Sequence, residues 1–167
     1  MSALYLEYRG MVAATLRLVG GPRVDVEDLV QNVFALAIRG QSSFRGHASP
    51  KTWLYRIAVN AALQELRRQR RSRWLVWVGA SASEPELEDT RSGPNRVSHR
   101  RALADLDEAL ATLSDAKRAA FVLVDVEGLS LDEAASVLDV PLNTVRSRLG
   151  AARREILSRV DVEWRNP

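Results

Sequence analysis

Between Leu4 and Val19 the apolar side chains Leu4, Tyr8, Val12, Leu16 and Val19 recur every three to four residues, which lays one stripe along a helix. The stripe stops at Gly20-Gly21-Pro22 and resumes in "DVEDLVQNVFALAIRG". There Asp25 is placed to cap a second helix, Leu29, Val33, Phe34 and Ala37 face inward, and Gly40 ends it. A polar loop, "QSSFRGHAS", separates this helix from Ser49-Pro50. A capping residue followed by proline at the first helical position predicts the start of a third, long helix.

Near residue 79 the periodicity is lost. "GASASEPELEDTRSGPN" is rich in Gly, Ser, Pro and acids, the composition of a linker. Just before it, "WLVWV" (74–78) is an apolar patch that either packs onto the preceding helices or docks a partner. Beyond it, Leu103, Leu106, Leu110 and Leu113 mark one helix, and Ser114 is placed to cap the next, which carries "AAFVLV" and ends at Gly128. "SLDE" (130–133) has the Ser-to-Glu spacing of a capping box ahead of "LDEAASVL". A short turn, "DVP", leads to a last helix from Leu142 to about Val160. No strand-like alternation of useful length occurs. The expectation is an all-α chain of two small helical domains, 1–78 and 99–167, joined by a flexible linker over 79–98, the second containing a helix-turn-helix.

Charge sharpens this picture. The net charge is only +3, but residues 1–75 hold 12 basic and 5 acidic side chains, while 76–98 and 99–167 are each net −2. Within the acidic second half, 142–159 holds five arginines and one acid. With no cysteine and with only His47 and His99, far apart, no metal site, disulfide or thiol chemistry is expected. No Gly-rich phosphate loop or nucleophile–base pairing suggests an enzyme, and no cofactor is expected. No apolar run reaches membrane-spanning length and the N-terminus lacks a leader pattern, so no membrane insertion and a cytoplasmic location are expected.

Two helical faces carry candidate chemistry. An eight-residue helix, a three-residue turn and a basic helix have the dimensions of a helix-turn-helix, whose second helix enters a major groove. At 100° per residue Val145, Leu149, Ala152 and Ile156 form its buried stripe, with Asn143, Ser147 and Arg154 opposite and Arg146, Arg153 and Arg148 on the flanks. On the long helix one face reads Trp53, Arg56, Asn60, Gln64, Arg67, Arg71, and the other Leu54, Ala58, Ala61, Ala62, Leu66. An aromatic ring, amides and guanidinium groups on one stripe suit nucleic acid with accessible bases. Each feature also has a plainer reading: Trp53 as core, Asn60 as an ordinary surface residue, the arginines as a solvated helix end.

Together these segments resemble an extracytoplasmic-function (ECF) sigma factor, a small bacterial promoter-recognition subunit of the sigma-70 family. "DVEDLVQNVF" resembles its polymerase-binding helix, "SFRGHASPKTWLYRIAVNAALQELRR" its promoter-melting segment, and "LSLDEAASVLDVPLNTVRSRLGAARREI" its helix-turn-helix. The resemblance implies binding to core RNA polymerase through the beta-prime clamp helices and the beta flap, with Asp28, Leu29, Val30 and Gln31 matching the clamp-binding motif. It implies capture of a flipped minus-ten base in a pocket matched by Phe44 and Asn60, with Arg56 and Trp53 nearby, in a minus-ten DNA-binding set that also holds Lys51, Gln64, Arg67 and Arg71. For the minus-thirty-five duplex the matching set is Asn143, Thr144, Arg146, Ser147, Arg148, Arg153 and Arg154. An anti-sigma factor is implied as a controlling partner. The residues alone also admit a stand-alone helix-turn-helix regulator or a protein-binding helical module.

Overall fold

The computed structural model describes residues 2–41, 49–79 and 106–165, with side chains described as far as residue 74 in the second stretch and 158 in the third. Among the described residues there is no strand. Helix α1 (Ser2–Gly20) buries Val12, Leu16 and Val19 and is followed by a 3-10 turn, Gly21–Arg23. Helix α2 (Val26–Gly40) is capped as its sequence predicts, with the Asp28 amide donating to Asp25 Oδ1 at 3.0 Å. Helix α3 (Pro50–Gly79) starts where Ser49 Oγ accepts from the Thr52 amide at 3.0 Å. Its small buried residues Ala58, Ala61 and Ala62 let α1 and α2 approach closely, and Tyr5 meets Phe34 edge-on at 4.8 Å.

The second region is built from helical residues 106–111 (α4), α5 (Asp115–Phe121), α6 (Leu131–Leu138) and α7 (Leu142–Arg165). Ser114 does sit at the N-cap of α5, but its side chain makes no capping hydrogen bond there. After α5 the chain widens into a π-helical turn, Val122–Val126, before Gly128 at φ +73°. At α6 both halves of the capping box are present: the Glu133 amide donates to Ser130 Oγ at 3.2 Å, and the Ser130 amide to Glu133 Oε2 at 2.9 Å. Asp139, at φ 53°, ends α6 in the left-handed region that a short polar side chain tolerates. Helix α7 continues to Arg165, about one turn beyond the predicted end.

The two regions are in contact. Helix α1 packs against α5 and the π turn, and α3 against α6, so that one apolar core runs through both. Arg118 is buried at this junction, its Nε donating to the Leu110 carbonyl at 2.8 Å. Gly21 has φ +72°, a backbone conformation that favours glycine, and a Cβ there would lie 2.7 Å from Arg118 Nη1, so the guanidinium end would also have to shift. Residues 80–98 of the predicted linker, Leu103 of the helix predicted after it, Phe44 and His47 lie outside the described residues. Of the 74–78 patch, Trp74 continues α3 and is exposed, while the side chains of 75–78 lie outside the description.

Candidate nucleic-acid interface

Helix α3 presents Arg56, Asn60, Gln64, Arg67 and Arg71 to solvent and turns Leu54, Ala58, Ala61, Ala62 and Leu66 into the core, as the projection predicts. Lys51 is also exposed, its Nζ 5.7 Å from the centre of the Tyr55 ring. Trp53 is half-buried and belongs to both readings: it packs on the core and lines a cleft of about 250 Å³. Apolar Leu36 and Ile57 and polar Asn60 and Gln64 line the same cleft. Sequence reasoning missed Leu36 and Ile57, because α2 and α3 supply them from different helices.

The arginine run is not uniform. Arg68 is turned onto Glu65 through two hydrogen bonds of 2.8 Å, which hold the Glu65 carboxyl below its ordinary pKa. Arg70 pairs with Asp115 of the second region at 2.6 Å. Arg67 and Arg71 make no ion pair among the described residues. One helix therefore divides its cations between an open face and internal contacts.

On α7 Val145, Leu149 and Ala152 are buried and Ile156 half-buried, which leaves Asn143, Arg146, Ser147 and Arg154 exposed and Thr144 and Arg148 partly so. Asn143 and Arg146 are adjacent, with Arg146 Nη1 3.5 Å from Asn143 Oδ1, too long to hold either side chain fixed. Arg153 differs from its expected place among free phosphate contacts. Its Nε and Nη2 donate to the two carboxylate oxygens of Asp125 at 2.9 and 2.6 Å. Asp125 stands on the π turn, 28 positions upstream, where no helical periodicity relates it to α7.

The set matched to polymerase binding is split. Asp28 and Gln31 are exposed, but Leu29 and Val30 are buried in the core between α2 and its neighbours. Their side chains hold the helix in place and do not form an outward contact. The large apolar groups that α2 does expose are Leu36 and Ile38, both off the predicted buried stripe. Among the described residues no cluster of His, Cys, Asp or Glu could hold a metal ion, and no helix is long and apolar enough to cross a membrane.

Residues 4–72 match the Sigma-70 region 2 family and residues 103–156 the Sigma-70 region 4 family. The chain is 35% identical over 163 residues to the ECF RNA polymerase sigma-E factor of Escherichia coli K12, covering 94% of this chain and 84% of that protein. Among solved structures it is similar to the sigma factor RpoE in complex with the anti-sigma factor NepR from Bartonella quintana. The TM-score is 0.70, the identity 25%, and the coverage 97% of this chain and 99% of the other. It shares its fold with CnrH, solved in complex with the cytosolic domain of CnrY, at a TM-score of 0.68 and 24% identity, covering 96% of this chain and 87% of that one.

Proposed function

The chain belongs to the extracytoplasmic-function sigma factors of the sigma-70 family, and on that premise we propose how its two basic faces divide promoter recognition. Region 2 binds the minus-ten element as an opened strand. The observation that carries this reading is the exposed row Arg56, Asn60, Gln64, Arg67 beside a cleft lined by the Trp53 ring. At about 250 Å³ the cleft is smaller than the roughly 300–1,000 Å³ sites of drug-sized ligands, and suits one flat base. An apolar floor with Asn60 and Gln64 beside it offers stacking and amide hydrogen bonds to a base edge. Binding the flipped base offsets an unstacking cost on the order of a few kcal/mol. Lys51 and Arg71 complete this surface, and Phe44, outside the described residues, is assigned to the same base by the family resemblance.

Region 4 reads the minus-thirty-five element as duplex. Asn143, Thr144, Arg146, Ser147 and Arg148 face the base edges, and Arg154 the phosphates. Asp28 and Gln31, with the exposed apolar Ile38, form the side of α2 that meets core polymerase. The chain has no catalysis of its own; the polymerase supplies it. It acts in the cytoplasm under an anti-sigma factor, a reading supported by the similar RpoE, solved with NepR.

Run-off transcription with core polymerase and a randomised promoter library tests this directly. The wild-type chain is expected to select bipartite promoters. Asn60→Ala should lower open-complex yield about tenfold, the loss of one base-directed hydrogen bond, while leaving duplex binding unchanged. An undiminished yield would remove Asn60 from the pocket.

A further inference from the structure

The π turn and the residue that caps it place two acids, Asp125 and Glu127, on different tasks. Asp125 holds Arg153 of α7, while Glu127 leaves its own region altogether. Glu127 Oε2 accepts from the Tyr55 hydroxyl of α3 at 2.8 Å, and Oε1 lies 2.9 Å from Thr15 Oγ1 of α1. Tyr55 and Thr15 are buried, at 1% and 0% exposure. Thr15 Oγ1 is also 2.9 Å from the Met11 carbonyl. Having one proton, it donates to one acceptor at a time, and the charged carboxylate is the stronger. When Glu127 leaves, Thr15 falls back on Met11, an ordinary helical contact, so Thr15 remains satisfied without region 4.

Closure leaves both DNA-reading faces exposed, so it blocks neither by covering it. Its effect is on distance. Elements centred at minus ten and minus thirty-five are about 25 base pairs apart, about 85 Å along a duplex at roughly 3.4 Å per pair. In the closed chain Asn60 stands five positions from Tyr55 on α3, about 7.5 Å at 1.5 Å per residue, and Asn143 ten positions from Arg153 on α7, about 15 Å, so the Tyr55–Glu127 and Arg153–Asp125 contacts hold the two reading faces much closer together than that. The stretch 80–105, at up to about 3.3 Å per residue, is long enough to let the regions part. The interface at Glu127 must therefore break before one chain can occupy both elements.

We propose that Glu127 is an intramolecular latch: held by Tyr55 and Thr15, it keeps the two regions too close together to span a promoter, and its release is a required step of activation. This rests on the two-element reading above. The latch shares its turn with Asp125, so the same short segment that closes the chain also braces α7.

The chain has no cysteine, so Leu6→Cys and Ser136→Cys, both at exposed positions, allow a donor and an acceptor dye to be placed one on each region. Single-molecule energy transfer on the full chain then reads the closed-to-open ratio without DNA or polymerase. Tyr55→Phe keeps the buried ring and removes only the hydroxyl. Like Glu127→Ala, it is expected to shift the ratio toward the open form ten- to hundredfold, the range for losing a hydrogen bond to a charged group. In run-off transcription both variants should reach half-maximal product at a lower protein concentration with an unchanged plateau, since only the open fraction is competent. A wild-type chain already open in solution, or variants with an unchanged ratio, would overturn the latch. Variants that open yet need as much protein as wild type would overturn its inhibitory role. If the variants open but the wild-type chain supports no transcription with core polymerase, the promoter reading falls and the latch stands as a conformational contact alone.

Discussion

Arg153 and Arg154 are neighbours on α7 with different employment. Arg153 is held by both oxygens of Asp125, whereas Arg154 is exposed with no ion pair among the described residues. With side-chain exposures of 54% and 22%, the Arg153–Asp125 pair is close to a surface salt bridge, whose contribution to stability is small. Its charge is nonetheless already partly neutralised, so it should release fewer counterions on binding DNA. Arg154→Ala is expected to reduce the salt slope of minus-thirty-five binding by about one. Arg153→Ala should change the slope by less and should lower the stability of region 4, a loss that Asp125→Ala shares. Equal slopes for the two variants would return Arg153 to the phosphate contacts. This distinction was not legible in the sequence: a helical projection finds neighbours three and four residues away, and Asp125 reaches α7 only through the fold.

The helix starts of region 4 show which local signals carry energy. Ser114 and Ser130 both precede acidic first turns, but only Ser130 accepts a backbone amide, and only it has Glu133 returning the bond. Ser130→Ala is accordingly expected to cost about 1 kcal/mol and Ser114→Ala a few tenths, measured by urea unfolding. The Glu133 carboxyl is held below its ordinary value of 4.5, first by the Ser130 amide and then by the Ser130 hydroxyl. A depressed folded pKa stabilises above the unfolded value, and that contribution is lost as pH falls through the folded one. Glu133→Gln should flatten the acid limb of the unfolding midpoint below about pH 4.5 by lowering stability at neutral pH, while stability at low pH, where Glu133 is already protonated, is little changed. Caps and buried stripes were legible because they are local: Asp25, Ser49 and Ser130, and Val145, Leu149 and Ala152, all stand where the spacing predicts. The π turn was not, since one inserted residue has no periodic signature, and neither was the inward turn of Leu29 and Val30 within a motif matched for its outward contacts.

For the whole molecule the question is which force keeps the two regions together, since that decides what can part them. Among the described residues the ion pairs Arg17–Asp107 and Arg70–Asp115 cross between the regions, both at 2.6 Å and both partly exposed. Such pairs contribute about 0.5 kcal/mol each at the median, and in 1 M salt the screening length falls to about 3 Å. Losing both shifts the closed-to-open ratio by roughly fivefold. The shared apolar core is not weakened by salt, and the Tyr55–Glu127 bond is shielded by burial. Burial, then the bond to Glu127, pushes the Tyr55 phenol above its ordinary 10.0. A raised folded pKa means that this contribution is complete below pH 10 and is lost only as pH rises through the higher folded value. Tyr55 therefore offers no proton switch in the physiological range. Between 0.05 and 1 M NaCl the energy-transfer ratio is expected to change less than tenfold, and less than Tyr55→Phe changes it at low salt; a chain opened by salt alone would mean that the ion pairs hold it. With neither salt nor the Tyr55 proton able to open the chain, opening must come from a partner that binds the separated regions more tightly than the joined ones. A partner with equal affinity for both forms would shift nothing, however tightly it bound.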